Sequence, residues 1–235
     1  MKAACIQSSY IPWKGYFDII HDVDVFVFLD DVQMTMRDWR SRNKIKTAKG
    51  TEWLTVPVAK VTRHQLIWET RIAEGDWQRR HLKALQFNYG RALFFQDYRF
   101  LLDWLYGEPH TNLSEFNRRA TGMICNILGI KTQLMCSMDL HPVGTKDDRL
   151  IDVCKKLGAH AYLSGPSARD YIAAEKFQAA GIELIYKDYA GYPEYPQQYS
   201  PFSHDVTVLD VLFNCGPQAP DHIWGWRGTS SVQPQ

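Results

Sequence analysis

The part of the sequence that restricts the fold most is an alternation of strands and helices in the last third of the chain. The apolar runs "TQLMCSM", "HAYLSG" and "IELIYKDY" predict three strands. A helix is predicted after the first run, from the N-cap Thr145 to Gly158, and another after the second run, from Ser167 to Gly181. Strands that alternate with helices over short connections form right-handed parallel βαβ units, so this region predicts a parallel sheet.

The first half of the chain supplies the rest of the predicted fold. "KAACIQ" and "VDVFVFLDD" predict two more buried strands, and "TEWLTVPVAK" with "QLIWETRIA" predicts an antiparallel pair. Apolar residues then recur at helical spacing from Asp76 to Asn126. We therefore predict an α/β fold that forms a single domain over residues 1–235. It has a Rossmann-like, mostly parallel sheet, a helical insertion over residues 76–128 in the middle of the chain and a small antiparallel strand pair.

Composition limits the classes of protein to consider. The 235 residues carry a net charge of +1, which predicts no overall attraction to nucleic acid or to a membrane. No apolar run reaches the roughly 18 residues that span a bilayer, and the N-terminus lacks a signal-peptide core, so we predict a cytoplasmic protein.

The histidines show no metal-binding spacing, and we predict no metal site. The cysteines form no CxxC pair, and we predict that they are reduced and not catalytic. They are Cys5, Cys125, Cys136, Cys154 and Cys215.

Three unusual segments follow predicted strands of the sheet. They are "QSSYIPWKGY", "DDVQMTMRDWRSRNKIK" and "SGPSARDY". Ligands of open α/β sheets bind beyond the carboxyl ends of the strands, where these segments lie. The sequence therefore predicts a ligand-binding site built from the three segments.

The first segment is rich in aromatic residues. A turn with a glycine before a helix presents backbone N–H groups to an anion. Lys14 adds a positive charge and Trp13 a flat surface, although Trp13, Tyr16 and Phe17 could instead pack against the edge of the sheet. The candidate binding residues are Gln7, Tyr10, Trp13, Lys14, Gly15 and Tyr16.

The second segment concentrates positive charge. Six cations lie between Arg37 and Lys49 against one acid, Asp38. Arginine forks suit phosphate pairs, and an aromatic plane among them suits a base or a sugar. RNA uses the same combination, and a solvated charged loop is the alternative. The candidate binding residues are Gln33, Arg37, Trp39, Arg40, Arg42 and Lys44.

Two carboxylates and a serine-rich turn complete the candidate site. Asp30 and Asp31 end a strand, and one of them could act as a general base, hold Mg²⁺ beside a phosphate, or cap the following turn. Ser164, Gly165 and Ser167 could form an anion-holding turn. The chain contains no GxGxxG, GxxxxGK[ST] or GxSxG motif, so neither a dinucleotide fingerprint nor a P-loop nor a hydrolase elbow is predicted.

The chain resembles the WbqC-like family of bacteria, whose members lie among genes for O-antigen and other surface polysaccharides. The matching stretches are "IQSSYIPWKGYFDII", "VFVFLDDVQMTMRDWRSRNKIKT", "WLTVPV", "RLIDVCKKLGAHAYLSGPSARDYI" and "VLDVLFNCGP". The resemblance implies a transferase that adds glycine or another acyl group to a sugar. The chain departs from the usual family start by carrying Gln7-Ser8 in place of a Gln-Pro pair.

A fainter similarity concerns the mechanism. "PWKGY" is similar to the HxGH turn of nucleotidyltransferase-like folds, with Trp13 and Tyr16 where the histidines would be. "LSGPSARDYI" is similar to a nucleotide-binding stretch of pantothenate synthetase, which activates a carboxylate with ATP and then forms an amide. This similarity implies ATP with Mg²⁺ as a possible cofactor, and otherwise the cofactor is unknown.

Together these features predict a transferase of surface-polysaccharide synthesis that acts on a nucleotide-linked amino sugar. Arg37, Arg40 and Arg42 would hold the diphosphate, and Trp13 or Trp39 would stack on the base. Asp30 or Asp31 would accept the amine proton. The acyl or aminoacyl donor is not identified. The alternatives are a non-catalytic nucleotide-sugar-binding protein and an ATP- or aminoacyl-tRNA-dependent amide-forming enzyme, and a steep loss of affinity with salt would indicate RNA.

Overall fold

A computed structural model of the chain describes residues 1–228 and contains a five-stranded parallel sheet and a two-stranded antiparallel sheet. The strands are β1 (Lys2–Ile6), β2 (Val25–Phe28), β3 (Arg42–Thr47), β4 (Gly50–Thr55), β5 (Gln133–Cys136), β6 (Ala161–Ser164) and β7 (Glu183–Tyr186). The parallel sheet has the order β5-β2-β1-β6-β7. Counted along the chain, this is the third-second-first-fourth-fifth order of a Rossmann-like sheet. The predicted fold class is confirmed.

Helices connect these strands. They are α1 (Lys14–His21), α2 (Trp77–Tyr89), α3 (Arg99–Gly107), α4 (Leu113–Ile127), α5 (Ser137–Leu140), α6 (Lys146–Leu157), α7 (Ala174–Ala179) and α8 (Val208–Cys215). Short 3₁₀ helices cover Ile67–Glu69, Pro166–Asp170, Gly216–His222 and Gly225–Gly228. The helices α2, α3 and α4 follow one another between β2 and β5, where helical spacing was predicted. Their description as an insertion in a single domain stays a prediction.

The two-stranded antiparallel sheet forms between β3 and β4, whereas the two segments predicted to pair meet only at one isolated antiparallel bridge, between Val58 and Ile72. β3 pairs with β4, and Thr47 lies opposite Gly50, so a two-residue turn joins the strands. Such a local hairpin forms readily. The more distant segment "QLIWETRIA" contains the 3₁₀ helix Ile67–Glu69, so its pairing is short, and beside the bridge the Ala59 N–H donates to the Arg71 carbonyl at 2.9 Å. Arg42 and Lys44 therefore lie on a strand, whereas the sequence placed them in a loop.

The helices of the last third follow the prediction in part. α6 begins directly after Thr145 and ends at Gly158, whose φ of 69° is the left-handed conformation expected of a C-terminal glycine. The predicted helix from Ser167 to Gly181 is wrong as a continuous element. The carboxylate of Asp147 accepts a hydrogen bond from the Ala173 backbone N–H at 3.1 Å, and the chain extends at Ala173 before α7 begins.

The core lies on both faces of the parallel sheet. Along β1, Ala4 points into one buried cluster and Ala3 and Cys5 into another. β2 alternates in the same way, with Phe26 on the first face and Val27 on the second. Both faces are covered, and this explains why these strands are apolar throughout. All five cysteines are buried and unpaired.

A chain of polar groups is buried between the first loop and α2. The Tyr10 hydroxyl lies 2.8 Å from Nδ1 of His81 and 2.7 Å from the Tyr106 hydroxyl. Tyr10 is fully buried, so no ligand can reach its side chain, which contributes to packing instead. Burial also lowers the pKa of His81 from 6.5 to about 4.

We expect His81 to make the stability of the protein depend on pH. Its pKa is lower in the folded than in the unfolded protein, so its neutral form stabilises the fold above about pH 6.5 and this contribution is lost as the pH falls towards about 4. The shift corresponds to roughly 3 kcal/mol in the free energy of unfolding. Urea unfolding of the wild type and His81→Gln between about pH 7 and about pH 4.5 measures it. The exposed His64→Gln is the matched control. Identical pH profiles for wild type and His81→Gln would contradict the assignment.

Candidate functional site

A cavity of about 920 Å³ opens at the carboxyl ends of β1 and β6. These two strands are neighbours in the sheet. From β1 the chain first adds β2 and β5 on one side, and it later adds β6 and β7 on the other side. This is the point at which the strand order reverses, where ligands of such sheets bind. The end of β1 contributes Gln7 to the wall, and the end of β6 contributes Ser164 and Gly165.

Each of the three segments predicted from the sequence reaches this cavity. The first segment contributes Ser9, Pro12, Trp13 and Tyr16 in addition to Gln7. The second contributes Trp39, Arg40 and Asn43. The third contributes Ser164, Gly165 and Ser167 with neighbouring residues. The segments after β1 and β2 thus both line this cavity, and that it binds a ligand stays a prediction.

The cavity has a fourth wall that was not predicted from the sequence. It is the first turn of α6, from which Lys146, Asp147, Arg149 and Leu150 line the cavity. The signal was present, because the N-cap Thr145 starts a helix that follows the parallel strand β5. Such a helix begins at the edge of the sheet where the other loops lie, and its N-terminus favours anions.

The turn of the first segment is held in an uncommon conformation. Ile11 is buried and has a φ of 34°, which is rare for a β-branched residue. The side-chain amide of Asn43 donates to the carbonyl oxygens of Tyr10 at 3.2 Å and Ile11 at 2.9 Å. The backbone N–H of Tyr10 donates to the carbonyl oxygen of Trp39 at 2.9 Å. These bonds join the first and second segments into one wall.

Gly15 supports the Trp13 side chain. A Cβ atom at Gly15 would lie 2.3 Å from the Trp13 ring, so only glycine lets the indole lie at this distance from the backbone. The other neighbours of the ring are Tyr189 and Tyr192, whose ring centroids lie 5.1 and 6.1 Å away. Gly15 itself does not line the cavity, in contrast to the predicted anion-binding turn.

Lys14 lies outside the cavity, in a box of aromatic rings. It is only 2% exposed, and its ammonium donates to the His222 carbonyl at 3.1 Å. The same ammonium lies 4.7 Å from the ring of Tyr192 and 5.1 Å from that of Tyr195. Burial lowers the pKa of Lys14 to about 8. These contacts attach the C-terminal part of the chain to α1, and they leave no ammonium for a ligand in the cavity.

The positive charge in the cavity wall comes from Arg40, Lys146 and Arg149. Arg40 pairs with Asp38 at 3.0 Å, and Arg149 pairs with Asp31. The Nε atoms of Arg40 and Arg149 are buried and have no hydrogen-bond partner within residues 1–228. Both guanidinium groups line the cavity, and guanidinium groups are suited to binding an anion.

The other predicted cations of the second segment lie elsewhere. Arg37 is exposed and does not line the cavity. Arg42 stacks on Trp53, with its guanidinium 4.1 Å from the ring, and the Lys44 ammonium lies 5.2 Å from the same ring. Of the three arginines that the sequence assigned to a diphosphate, only Arg40 lines the cavity.

The two aspartates hold the walls in place. Asp30 is fully buried and accepts hydrogen bonds from the backbone N–H of Ser8 at 2.8 Å and from the Ser114 hydroxyl. Burial raises its pKa. Asp31 accepts from the Ser137 hydroxyl at 2.6 Å and from Arg149. Neither carboxylate lines the cavity, so Asp30 fixes the first segment and Asp31 orients Arg149.

Gln33 also lies away from the cavity. It is exposed, and its side-chain amide donates to the Arg63 carbonyl at 2.7 Å. By contrast, the Tyr16 hydroxyl donates to the Gln7 carbonyl at 3.0 Å, and both residues line the cavity.

Within residues 1–228, no cluster of His, Cys, Asp and Glu is arranged to hold a metal ion. No helix in that part of the chain has the length and hydropathy to span a membrane.

Comparison with known proteins agrees with the resemblance seen in the sequence. The model of the WbqC-like protein family matches residues 7–222, which include every residue that lines the cavity except Cys5 and Ile6. The chain is 46% identical over 227 residues to the uncharacterized protein Rv1507c of Mycobacterium tuberculosis, a match that covers 94% of this chain and 97% of the relative. No solved structure matches the chain. The protein therefore belongs to the WbqC-like family.

Proposed function

We propose that this protein binds a nucleotide-linked amino sugar in the cavity between β1 and β6 and transfers an acyl or aminoacyl group to the sugar amine. The observation that carries the proposal is that Arg40 and Arg149, from different segments of the chain, both line the cavity at the point where the strand order reverses. A volume of about 920 Å³ is at the upper end of the range for small-ligand cavities and accommodates a nucleotide sugar.

The diphosphate is the part of this ligand that the cavity suits best. Arg40 and Arg149 both line the cavity with part of each side chain exposed, 16% and 19%, and Lys146 adds a third cation. The first turn of α6 brings the positive end of the helix dipole to this wall, while Asp147 and Asp148 in the same turn oppose it. Asp31 and Asp38 each pair with one of the arginines, and these ion pairs orient the guanidinium groups towards the anion.

The sugar amine needs a proton acceptor, and the structure offers a different carboxylate from the two predicted. Asp205 is exposed and lines the cavity, whereas Asp30 and Asp31 are engaged in the walls. In the proposed reaction Asp205 accepts the amine proton while the nitrogen attacks the donor carbonyl. The bond to the carrier then breaks, and the carrier leaves.

A second candidate function is non-catalytic binding of the same ligand. It is favoured by the engagement of both Asp30 and Asp31 in structural hydrogen bonds, which leaves Asp205 and Asp147 as the carboxylates of the cavity wall. Asp147 is nearly buried and accepts from Ala173. Turnover distinguishes the two functions, because a binding protein would hold the nucleotide sugar without converting it. In either case we propose a role in surface-polysaccharide synthesis in the cytoplasm.

We expect Arg40→Gln and Arg149→Gln each to weaken the binding of a UDP-linked amino sugar by about ten- to a hundred-fold, because each removes charge-assisted hydrogen bonds to the diphosphate. Isothermal titration calorimetry measures the dissociation constants. Arg37→Gln is the matched control, since it removes the same charge from the same segment outside the cavity. Equal losses for Arg37→Gln and Arg40→Gln would indicate a diffuse surface charge and contradict the proposed site.

We expect Asp205→Asn to lower turnover by ~10² to 10⁴-fold while leaving the affinity for the UDP-linked amino sugar unchanged. Release of thiol from a panel of coenzyme A thioesters in the presence of the amino sugar measures turnover. Asp170→Asn is the control, because Asp170 is an exposed carboxylate on the third segment that does not line the cavity. Full activity of Asp205→Asn would show that another group accepts the proton. Binding without turnover of any thioester by the wild type would favour the second candidate function.

A further inference from the structure

Two tryptophans meet at the mouth of the cavity. The ring centroids of Trp39 and Trp53 lie 5.1 Å apart, and the rings are inclined at 43°. Both residues are well exposed, Trp39 at 44% and Trp53 at 39%. Only Trp39 lines the cavity, so Trp53 lies behind it on the outer surface. Exposed tryptophans in mutual contact beside a cavity provide an aromatic surface for a planar group.

Trp53 is itself held in place by cations. The Arg42 guanidinium lies 4.1 Å from its ring centroid, and the Lys44 ammonium lies 5.2 Å away. The hairpin register places Lys44 directly opposite Trp53. Attraction between these cations and the ring orders Trp53, which in turn supports Trp39. The cations also make the mouth of the cavity positive, which suits a ligand that carries phosphate.

Trp13, the other tryptophan of the cavity wall, is packed differently. Its ring lies directly over Gly15, and the rings of Tyr189 and Tyr192 meet it edge-on at 69° and 86°. These neighbours leave Trp13 less surface for stacking than Trp39 has. Between the two tryptophans predicted from the sequence as base-stacking residues, the geometry favours Trp39.

We propose that Trp39, supported by Trp53, stacks on the nucleobase of the ligand at the mouth of the cavity. The inference rests on the proposed function and specifies how the ligand is oriented in the cavity. The diphosphate then lies beside Arg40, the next residue in the chain, and the sugar lies among the remaining wall residues, which include Ser164 and Asp205. Every base has a face that can stack, so this platform accepts different bases. The protein therefore selects its ligand by the sugar and tolerates uridine, guanosine and adenosine diphosphates alike.

The test compares ligands with and without a base on the wild type and on Trp39→Ala. Calorimetry with UDP, GDP, ADP and inorganic pyrophosphate gives the dissociation constants. We expect Trp39→Ala to weaken all three nucleotides by about ten-fold and to leave pyrophosphate unchanged, because the loss concerns only the stacked base. The backbone carbonyl of Trp39, which holds Tyr10, is retained in this variant. Trp39→Phe should restore most of the affinity for the nucleotides.

Trp68→Ala is the matched control, since Trp68 is exposed at 43% and does not line the cavity. It should bind all four ligands like the wild type. Equal weakening of pyrophosphate and UDP by Trp39→Ala would overturn the proposal, because Trp39 would then act on the anion site. Unchanged binding of UDP would overturn it while leaving the proposed function intact. If the wild type binds no nucleotide, or binds single-stranded RNA more tightly than UDP, the nucleotide-sugar assignment fails with it.

Discussion

The side-chain amide of Asn43 donates to the carbonyl oxygens of Tyr10 and Ile11, and the shape of the cavity depends on these two bonds. Ile11 has a φ of 34°, a conformation that costs about 1–3 kcal/mol and persists only where the surroundings enforce it. The hairpin pairs Asn43 with Leu54, and this register directs the amide to the turn. This turn then places Trp13 over Gly15 in the cavity wall.

The ionisable groups near the cavity divide into those that build the walls and those that face the ligand. Lys14, Asp30 and Asp31 belong to the first kind, since each is engaged by protein groups and none lines the cavity. Arg40 and Arg149 belong to both, because each pairs with an aspartate and still lines the cavity with part of its side chain exposed. An anion in the cavity could therefore accept hydrogen bonds from guanidinium groups that the walls already hold in place.

The sequence was sufficient to predict the sheet and the segments that reach its carboxyl edge, because strand periodicity and chain order decide both. It was not sufficient to predict which side chains face the cavity. Lys14 and Tyr10 are close in sequence to Trp13, yet both point into packed surroundings, and only the positions of distant partners such as His222 and His81 determine this. Paired residues far apart in the sequence are not visible in local patterns. Arg149 was missed although the sequence showed the start of its helix, because only the order of the strands shows that this helix begins at the cavity.

A crystal structure of the protein with a bound UDP-linked amino sugar tests most directly whether the cavity between β1 and β6 is the ligand site. We expect the diphosphate within hydrogen-bonding distance of both Arg40 and Arg149, with the first turn of α6 beside it. Density for the ligand on the outer face of the β3–β4 hairpin, with the cavity empty and both arginines unchanged, would contradict this assignment.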